Sequence, residues 1–324
     1  MAVTKPTTNI AAAVSILKQG GLVAFPTETV YGLGADAGNQ KAVEKIFLAK
    51  QRPANHPLIV HLASISQLQD WAAQISDTAW LLAETFWPGP LAIILKKQDS
   101  VLPEVTGGQS TVALRIPDNP VALELLQQFD SGIAAPSANL YNHISPTRAE
   151  HVISELGDCV DAVLDGGMCR VGLESTIIDL SGEVPRLLRP GHISPADIEQ
   201  VIGQPVSMKQ QTTVRAPGML EIHYAPTTPA QLCQREQLAG EIKKCLQAGQ
   251  SIGLLTTGDY PIENSRIKQL SMPDKPVQYA HELYASLRYL DDMKLDRILV
   301  ETVPETKDWL AVNDRLAKAT ARGG

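Results

Sequence analysis

The stretch Gly20-Gly-Leu-Val-Ala-Phe-Pro-Thr-Glu-Thr-Val-Tyr-Gly-Leu-Gly-Ala35 limits the possible folds more than any other part of the chain. The apolar run Leu22 to Phe25 is long enough for one buried strand, and Pro26, which has no backbone donor, should end it. A polar loop is expected next, with Thr27, Glu28, Thr29 and Tyr31 beside Gly32 and Gly34, two glycines that let a backbone turn sharply and approach a ligand. Hydroxyls on such a shelf read as binding groups. Gly32-Leu-Gly34-Ala-Asp-Ala37 also fits the glycine pattern of dinucleotide-binding folds, but six residues, 26 to 31, separate the strand end from the first glycine, and in that fold the glycines follow the strand directly.

The 324 residues exceed one ordinary core and predict two domains. With 44% hydrophobic and 19% charged residues the composition is globular, and a net charge of −7 argues against a protein that coats nucleic acid, although a local basic cleft is compatible with it. The first residues, Met1 to Asn9, have no apolar core or cleavage pattern, and no run approaches the length of a membrane span, so no membrane association and a cytoplasmic location are expected. Cys159, Cys169, Cys233 and Cys245 have no metal-ligand spacing and read as free, mostly buried thiols. No Gly-Lys dipeptide occurs, which removes the Walker A loop.

In chain order, Ile10 to Gln19 is a helix ended by Gly20-Gly21, and Asn39 caps a second helix through about Ala49. Pro53 stops that helix and leaves Lys50 and Arg52 projecting at its end, a pair suited to a polyphosphate or to a solvated helix terminus. The strand Leu58 to Leu62 should point His61 away from a buried partner. Ile65 to Phe86 reads as one or two helices broken at Trp87-Pro-Gly-Pro90, with Trp71, Trp80 and Trp87 as core residues. Leu91 to Leu95 is a buried strand, and in Thr111 to Ile116 period-2 alternation puts Thr111, Ala113 and Arg115 on one face, where Arg115 needs an anionic partner, either a carboxylate or a ligand. After a helix over Asn119 to Phe129, the strand Gly132 to Ala135 runs into Pro136-Ser137-Ala-Asn139, a second polar shelf, and Ser145-Pro-Thr147 should cap a helix to about Leu156. Strands beginning near Thr176 and ending near Arg189, then a helix over Pro195 to Ile202, complete the first part. Polar residues at the ends of at least five apolar strands predict a cleft at one edge of an α/β sheet.

From about residue 8 to 203 the chain resembles the threonylcarbamoyl-adenylate synthase family, built on the YrdC-like domain. Pro26-Thr-Glu-Thr-Val-Tyr-Gly-Leu, Lys50-Gln-Arg52-Pro, Pro136-Ser137-Ala-Asn139 and Glu174-Ser-Thr-Ile-Ile-Asp occur in the order and spacing of that family. The resemblance implies an α/β fold: a YrdC-like twisted mixed sheet with helices and an open cationic cleft over residues 1–204, a linker over the active site at 205–229, and a smaller C-terminal Rossmann-like α/β domain at 230–324. The linker segment contains Ala216-Pro-Gly-Met219 and His223-Tyr-Ala-Pro226.

The implied reaction joins L-threonine, bicarbonate or CO2, and ATP into threonylcarbamoyl-AMP and pyrophosphate. The product serves the transferase machinery that modifies adenosine 37 of tRNA, and direct contact with tRNA is compatible with the resemblance. Matched motif to motif, Lys50 and Arg52 would hold the ATP phosphates, with Arg189 assisting and Mg2+ bridging phosphate oxygens. Thr111, Ser137, Asn139 and Ser145 would contact the nucleotide, with His56 near it. Thr29, His61, Arg115 and Ser175 would surround threonine, Arg115 on its carboxylate. Ala135 stands where relatives often carry a hydroxyl.

The C-terminal part reads as a helix over Gln231 to Gln247, a strand over Ser251 to Thr256, a helix over Val277 to Asp292, a strand over Arg297 to Glu301 and a helix over Asp308 to Ala321, with no catalytic motif. Two rival readings, an RNA-binding module using the same cleft and a carbamoyl transferase of the hydrogenase-maturation type, fit less well. The acidic net charge opposes the first, and the second lacks its zinc-finger cysteines.

Overall fold

The computed structural model describes residues 6–208, 213–219 and 224–321, so His223 of the linker motif lies outside the described residues. Contacts divide the chain into two units, Met1–Tyr141 with Pro146–Met219, and Asn142–Ser145 with Leu220–Gly324.

The first unit is built on one mixed sheet. Its strands are β1 (Pro6–Thr7), β2 (Val23–Phe25), β3 (Gly32–Asp36), β4 (Ile59–His61), β5 (Ala72–Gln74), β6 (Leu91–Lys97), β7 (Thr111–Arg115), β8 (Ile133–Ala134), β9 (Ala162–Leu164), β10 (Thr176–Asp179) and β11 (Arg186–Arg189). The order is β1-β9-β2-β3-β8-β4-β7-β6-β10-β11, with β5 on β6. β4 runs parallel to β7 and β6 parallel to β10, while β2 with β3, β3 with β8, and β6 with β7 are antiparallel.

Strand alternation sorts the side chains onto two faces. On one face Leu33, Val60, Ile93, Leu114 and Ile178 join the large core with Val43, Ile46 and Phe47 of the helix Gln40–Lys50 and Leu82 of the helix Asp77–Phe86. On the other face Phe25, Ile133 and Ala135 pack beneath Ala13 and Leu17 of the helix Ile10–Lys18 and Leu125 and Leu126 of the helix Pro120–Phe129. The rest of that second face, Ile59, Ala92, Ile94, Ala113 and Ile177, is covered by no helix among the described residues. It packs against Val214, Ala216 and Met219 of the segment after the last helix, Pro195–Ile202.

Several local expectations change. The stretch holding Gly32 and Gly34 is a strand, paired back onto β2 through Phe25↔Gly32 and Val23↔Gly34. These glycines serve close packing: a Cβ at Gly34 would stand 2.8 Å from both Ile133 Cγ2 and Phe25 Cε1. Ser145 and Thr147 do not cap the following helix, which begins at Ala149 behind Arg148. The capping by Asn39 and Asn119 is as the sequence predicts, each Oδ1 accepting from the first-turn backbone.

The second unit holds a four-stranded parallel sheet, β12 (Ala230–Cys233), β13 (Ile252–Thr257), β14 (Ile267–Met272) and β15 (Arg297–Glu301), in the order β12-β15-β13-β14. The single helix expected over Gln231 to Gln247 is a strand followed by the helix Arg235–Gln247, and β14 has no counterpart in the sequence reading. Both misses fall on half-buried strands whose alternation is weak, with β14 bearing Lys268, Gln269 and Ser271. Gly249-Gln-Ser251-Ile-Gly253 matches the pattern of a hydrolase nucleophile elbow, but it leads from a helix into β13, the reverse of the strand-to-helix turn an elbow needs, and the Ser251 hydroxyl donates to Asp296 Oδ2.

Substituting Gly34→Ala should cost about 1–3 kcal/mol through overpacking against Phe25 and Ile133. The check is a lowered urea midpoint at unchanged slope; an unchanged midpoint would mean that the β2–β3 packing is not as tight as described.

Candidate functional site

The face left bare of helices carries the polar residues the sequence singles out, in two groups. Strand β7 sets their spacing: Thr111, Ala113 and Arg115 alternate onto this face, and the four steps from Thr111 to Arg115 cover about 13 Å at the usual rise per residue. These residues therefore stand on a sheet face whose floor is apolar.

At the Thr111 end stand Lys50, Arg52, His56, Ser137 and Asn139. Lys50 and Arg52 do not project into solvent; both are buried, Lys50 almost completely at 1% exposure. The helix ends with Gln51 in the left-handed conformation at φ 52°, which turns the chain back over its own C-terminus. Lys50 Nζ donates to the carbonyl oxygens of Ser137, at 2.6 Å, and Asn139. Tyr141 N–H in turn donates to the Lys50 carbonyl, which ties the second polar shelf to this helix. Arg52 Nη2 donates to the Pro57 carbonyl at 3.0 Å. His56 is half-buried with its ring edge-on to Tyr141 at 5.5 Å, and burial, followed by the charges of Arg52 and Arg215, lowers its pKa. A buried ammonium requires such partners, because an unpaired one costs several kcal/mol.

At the other end, β4 and β7 place His61 opposite Arg115. Arg115 Nη2 lies 2.7 Å from Glu28 Oε2, its Nη1 donates to Thr29 Oγ1 at 3.0 Å, and its Nε donates to the Gly89 carbonyl at 3.2 Å. Of the two partners the sequence leaves open for this arginine, the carboxylate is therefore present. Arg189 grips Ser175, its Nε donating to the Ser175 carbonyl at 2.9 Å and its Nη2 to Oγ at 3.0 Å, while its Nη1 donates to the Pro217 carbonyl. Ser145 is buried too, within the segment counted with the second unit.

His61 does not point away from the interior: it is 3% exposed and packs edge-on against Phe25. Burial first, and then the Arg115 charge, push its pKa down to about 3, so it is a neutral imidazole at physiological pH.

Three residues were not selected from the sequence as site residues. Glu28 lies within the named opening stretch, and an acid in a segment due to be buried was the available signal. Gln109 and Arg215 had none, because their link is tertiary. Gln109 Nε2 donates to the Arg215 carbonyl and Gln109 Oε1 accepts the Arg215 N–H at 2.6 Å, while Arg215 Nη2 donates to the Gly107 carbonyl at 2.7 Å.

A sequence profile of the Sua5/YciO/YrdC proteins, described as "Telomere recombination", matches residues 15–191, and a second, described as "Threonylcarbamoyl-AMP synthase, C-terminal domain", matches residues 193–321. The chain belongs to the Sua5/YciO/YrdC family. Among relatives of this family member, a threonylcarbamoyl-AMP synthase of Bacillus subtilis is 43% identical over 96% of this chain and 92% of its own. One from Pyrococcus abyssi is 41% identical over 95% of this chain and 93% of its own. A crystal structure of P. abyssi Sua5 complexed with L-threonine superposes with a TM-score of 0.89 at 40% identity, covering 97% of this chain and 94% of that one. Among the described residues no helix is long and apolar enough to cross a membrane.

The depressed His61 pKa has a thermodynamic sign. Between the ordinary value of 6.5 and about 3 the unfolded chain takes up a proton that the folded chain refuses, so acidification through this window lowers stability. The slope reaches about 1.4 kcal/mol per pH unit. Urea midpoints at pH 7 and pH 4 should therefore differ less in His61→Gln than in the parent; equal differences would place the imidazole in solvent.

Proposed function

We propose that this chain is a threonylcarbamoyl-AMP synthase that joins L-threonine, CO2 or bicarbonate, and ATP with release of pyrophosphate, a nucleotidyl transfer. The observation that carries this reading is the arrangement of one sheet face, with Lys50 and Arg52 at one end and Arg115, paired with Glu28, at the other, across an apolar floor. Such a layout suits a substrate set with an anionic polyphosphate at one end and a carboxylate at the other. Lys50 and Arg52 are assigned to the ATP phosphates, and Thr111, Ser137, Asn139, Ser145 and His56 to the nucleotide; Arg189, held on Ser175 at the Arg115 end, is assigned to the phosphate side that meets the carbamate. Arg115 is assigned to the threonine carboxylate, with Thr29, His61 and Ser175 around the amino acid. His61, neutral by its burial, serves as a hydrogen-bonding and packing wall and adds no charge there.

Chemically, the carbamate formed from the threonine amine and CO2 attacks the α-phosphorus, the bond to the β-phosphate oxygen breaks, and pyrophosphate leaves. No protein nucleophile is needed. Two anions must be held in line while negative charge shifts to the leaving group, and fixed cations lower that barrier because they are already oriented when the charge moves. Lys50 is fixed in this sense by its two carbonyl partners and Arg52 by Pro57. Magnesium, carried by the triphosphate, would neutralise part of the same charge; its ligands would be phosphate oxygens. The product would pass to the machinery that modifies adenosine 37 of tRNA, and a cytoplasmic location goes with this reading.

Pyrophosphate release from ATP and magnesium should require both L-threonine and bicarbonate; release without threonine would mean a different acceptor. Lys50→Met, which keeps the aliphatic stem, should lower kcat/KM by about 10²-fold or more. It should also reduce stability, since two buried carbonyls lose their donor. Full activity in this variant would overturn the phosphate assignment.

A further inference from the structure

The ion pair between Glu28 and Arg115 has more bonding capacity than the fold uses. Glu28 is 2% exposed and Arg115 3% exposed, so neither charge is solvated. Although Oε2 of Glu28 is 2.7 Å from Arg115 Nη2, neither Glu28 oxygen has an aligned hydrogen-bond donor among the described residues, and Nη2 has no aligned acceptor. The remaining guanidinium hydrogen bonds are well placed, to Thr29 and Gly89. Buried carboxylates accept aligned hydrogen bonds as a rule, because an unfilled buried valence keeps the full cost of its desolvation. A carboxylate and a guanidinium paired at 2.7 Å, each with hydrogen-bonding capacity left over, are together complementary to a ligand carrying one negative and one positive group a few ångströms apart.

We infer that Glu28 receives the ammonium group of the amino-acid substrate and so makes the site specific for a zwitterion. The inference rests on the threonine reading above, in which Arg115 takes the carboxylate. With the amino acid in place, the four charges alternate: guanidinium, substrate carboxylate, substrate ammonium, Glu28 carboxylate. Each buried charge then meets its opposite on two sides, which offsets its desolvation. Thr29 stands next to Glu28 in the chain and accepts from Arg115, so one hydrogen bond ties the hydroxyl shelf to the charged pair. A second consequence concerns selection. A hydroxy acid or dicarboxylate would satisfy Arg115 but leave Glu28 unfilled or facing a like charge, and sites that bury an unmatched polar group reject such analogues strongly. Glu28 is in these terms a specificity residue. Its contact is with the substrate's amine, the same nitrogen that later carries the carbamate.

Isothermal titration of the full chain with two probes, L-threonine and its deaminated analogue 3-hydroxybutanoate, separates this role from a structural one. The parent should prefer threonine by about tenfold to a hundredfold, the value of a hydrogen bond to a charged group. In Glu28→Gln, threonine binding should fall to about the level of the analogue, while binding of 3-hydroxybutanoate should stay constant or improve, since Arg115 is freed. Equal loss of both probes would show that Glu28 merely orders Arg115 and would overturn the inference, as would unchanged threonine binding. If the variant does not fold, the parent alone decides: a preference below about threefold overturns the assignment. Absence of threonine binding in the parent would overturn the threonine reading as well, whereas threonine binding with no preference over the analogue overturns only the role of Glu28.

Discussion

Arg115 holds together parts of the first unit that are distant in sequence. Its guanidinium reaches the carboxylate of Glu28 and the hydroxyl of Thr29 beyond β2, and the carbonyl of Gly89 before β6, while its strand register sets it beside His61. A cation on a buried strand position must be matched within reach of its own side chain, and here the matches come from segments up to 87 positions away, since Arg115 follows Glu28 by 115 − 28. The positions of the hydroxyl shelf, the start of β6 and the imidazole are thus set by one group.

The other end of the same face works similarly with a different cation. Lys50 lies at the end of a helix, where the C-terminal dipole favours positive charge, and its ammonium also bridges two carbonyls of the second shelf. Lysine suits this place because a point charge can satisfy two oxygens at arbitrary angles, whereas the planar fork of Arg189 fits the carbonyl and hydroxyl of the single residue Ser175. Between the two ends nothing polar is needed, and the floor is accordingly small and apolar: Ile59, Ala92, Ile94, Ala113 and Ile177.

Legibility of the sequence followed the range of the interactions. Helices with side-chain caps, such as those behind Asn39 and Asn119, and strands with strong alternation, such as β7, could be read because their signals lie within a few residues. The face shared by Thr111, Ala113 and Arg115 was legible for the same reason. The exposure of Lys50, Arg52 and His61 was misread because it depends on segments distant in the sequence, including Ser137 and Asn139 for Lys50 and Phe25 for His61. The glycines of β3 were read as a turn since glycine marks both a turn and a close approach, and only the neighbours Phe25 and Ile133 tell the two apart. The clasp between Gln109 and Arg215 spans 106 positions and left no trace in either local sequence.

That clasp has a consequence for where the first unit ends. Residues 213–219 are fastened to it by a two-way bond to the backbone of Arg215, by Arg189 on Pro217, and by the packing of Val214, Ala216 and Met219. They act as an eleventh-hour piece of core, supplied by the chain after its last helix in that unit. A fragment cut at residue 204 would keep every strand of the sheet yet present a stripe of isoleucine and alanine to water, the kind of surface that drives self-association. Solubility, in this architecture, is written partly in the connecting segment.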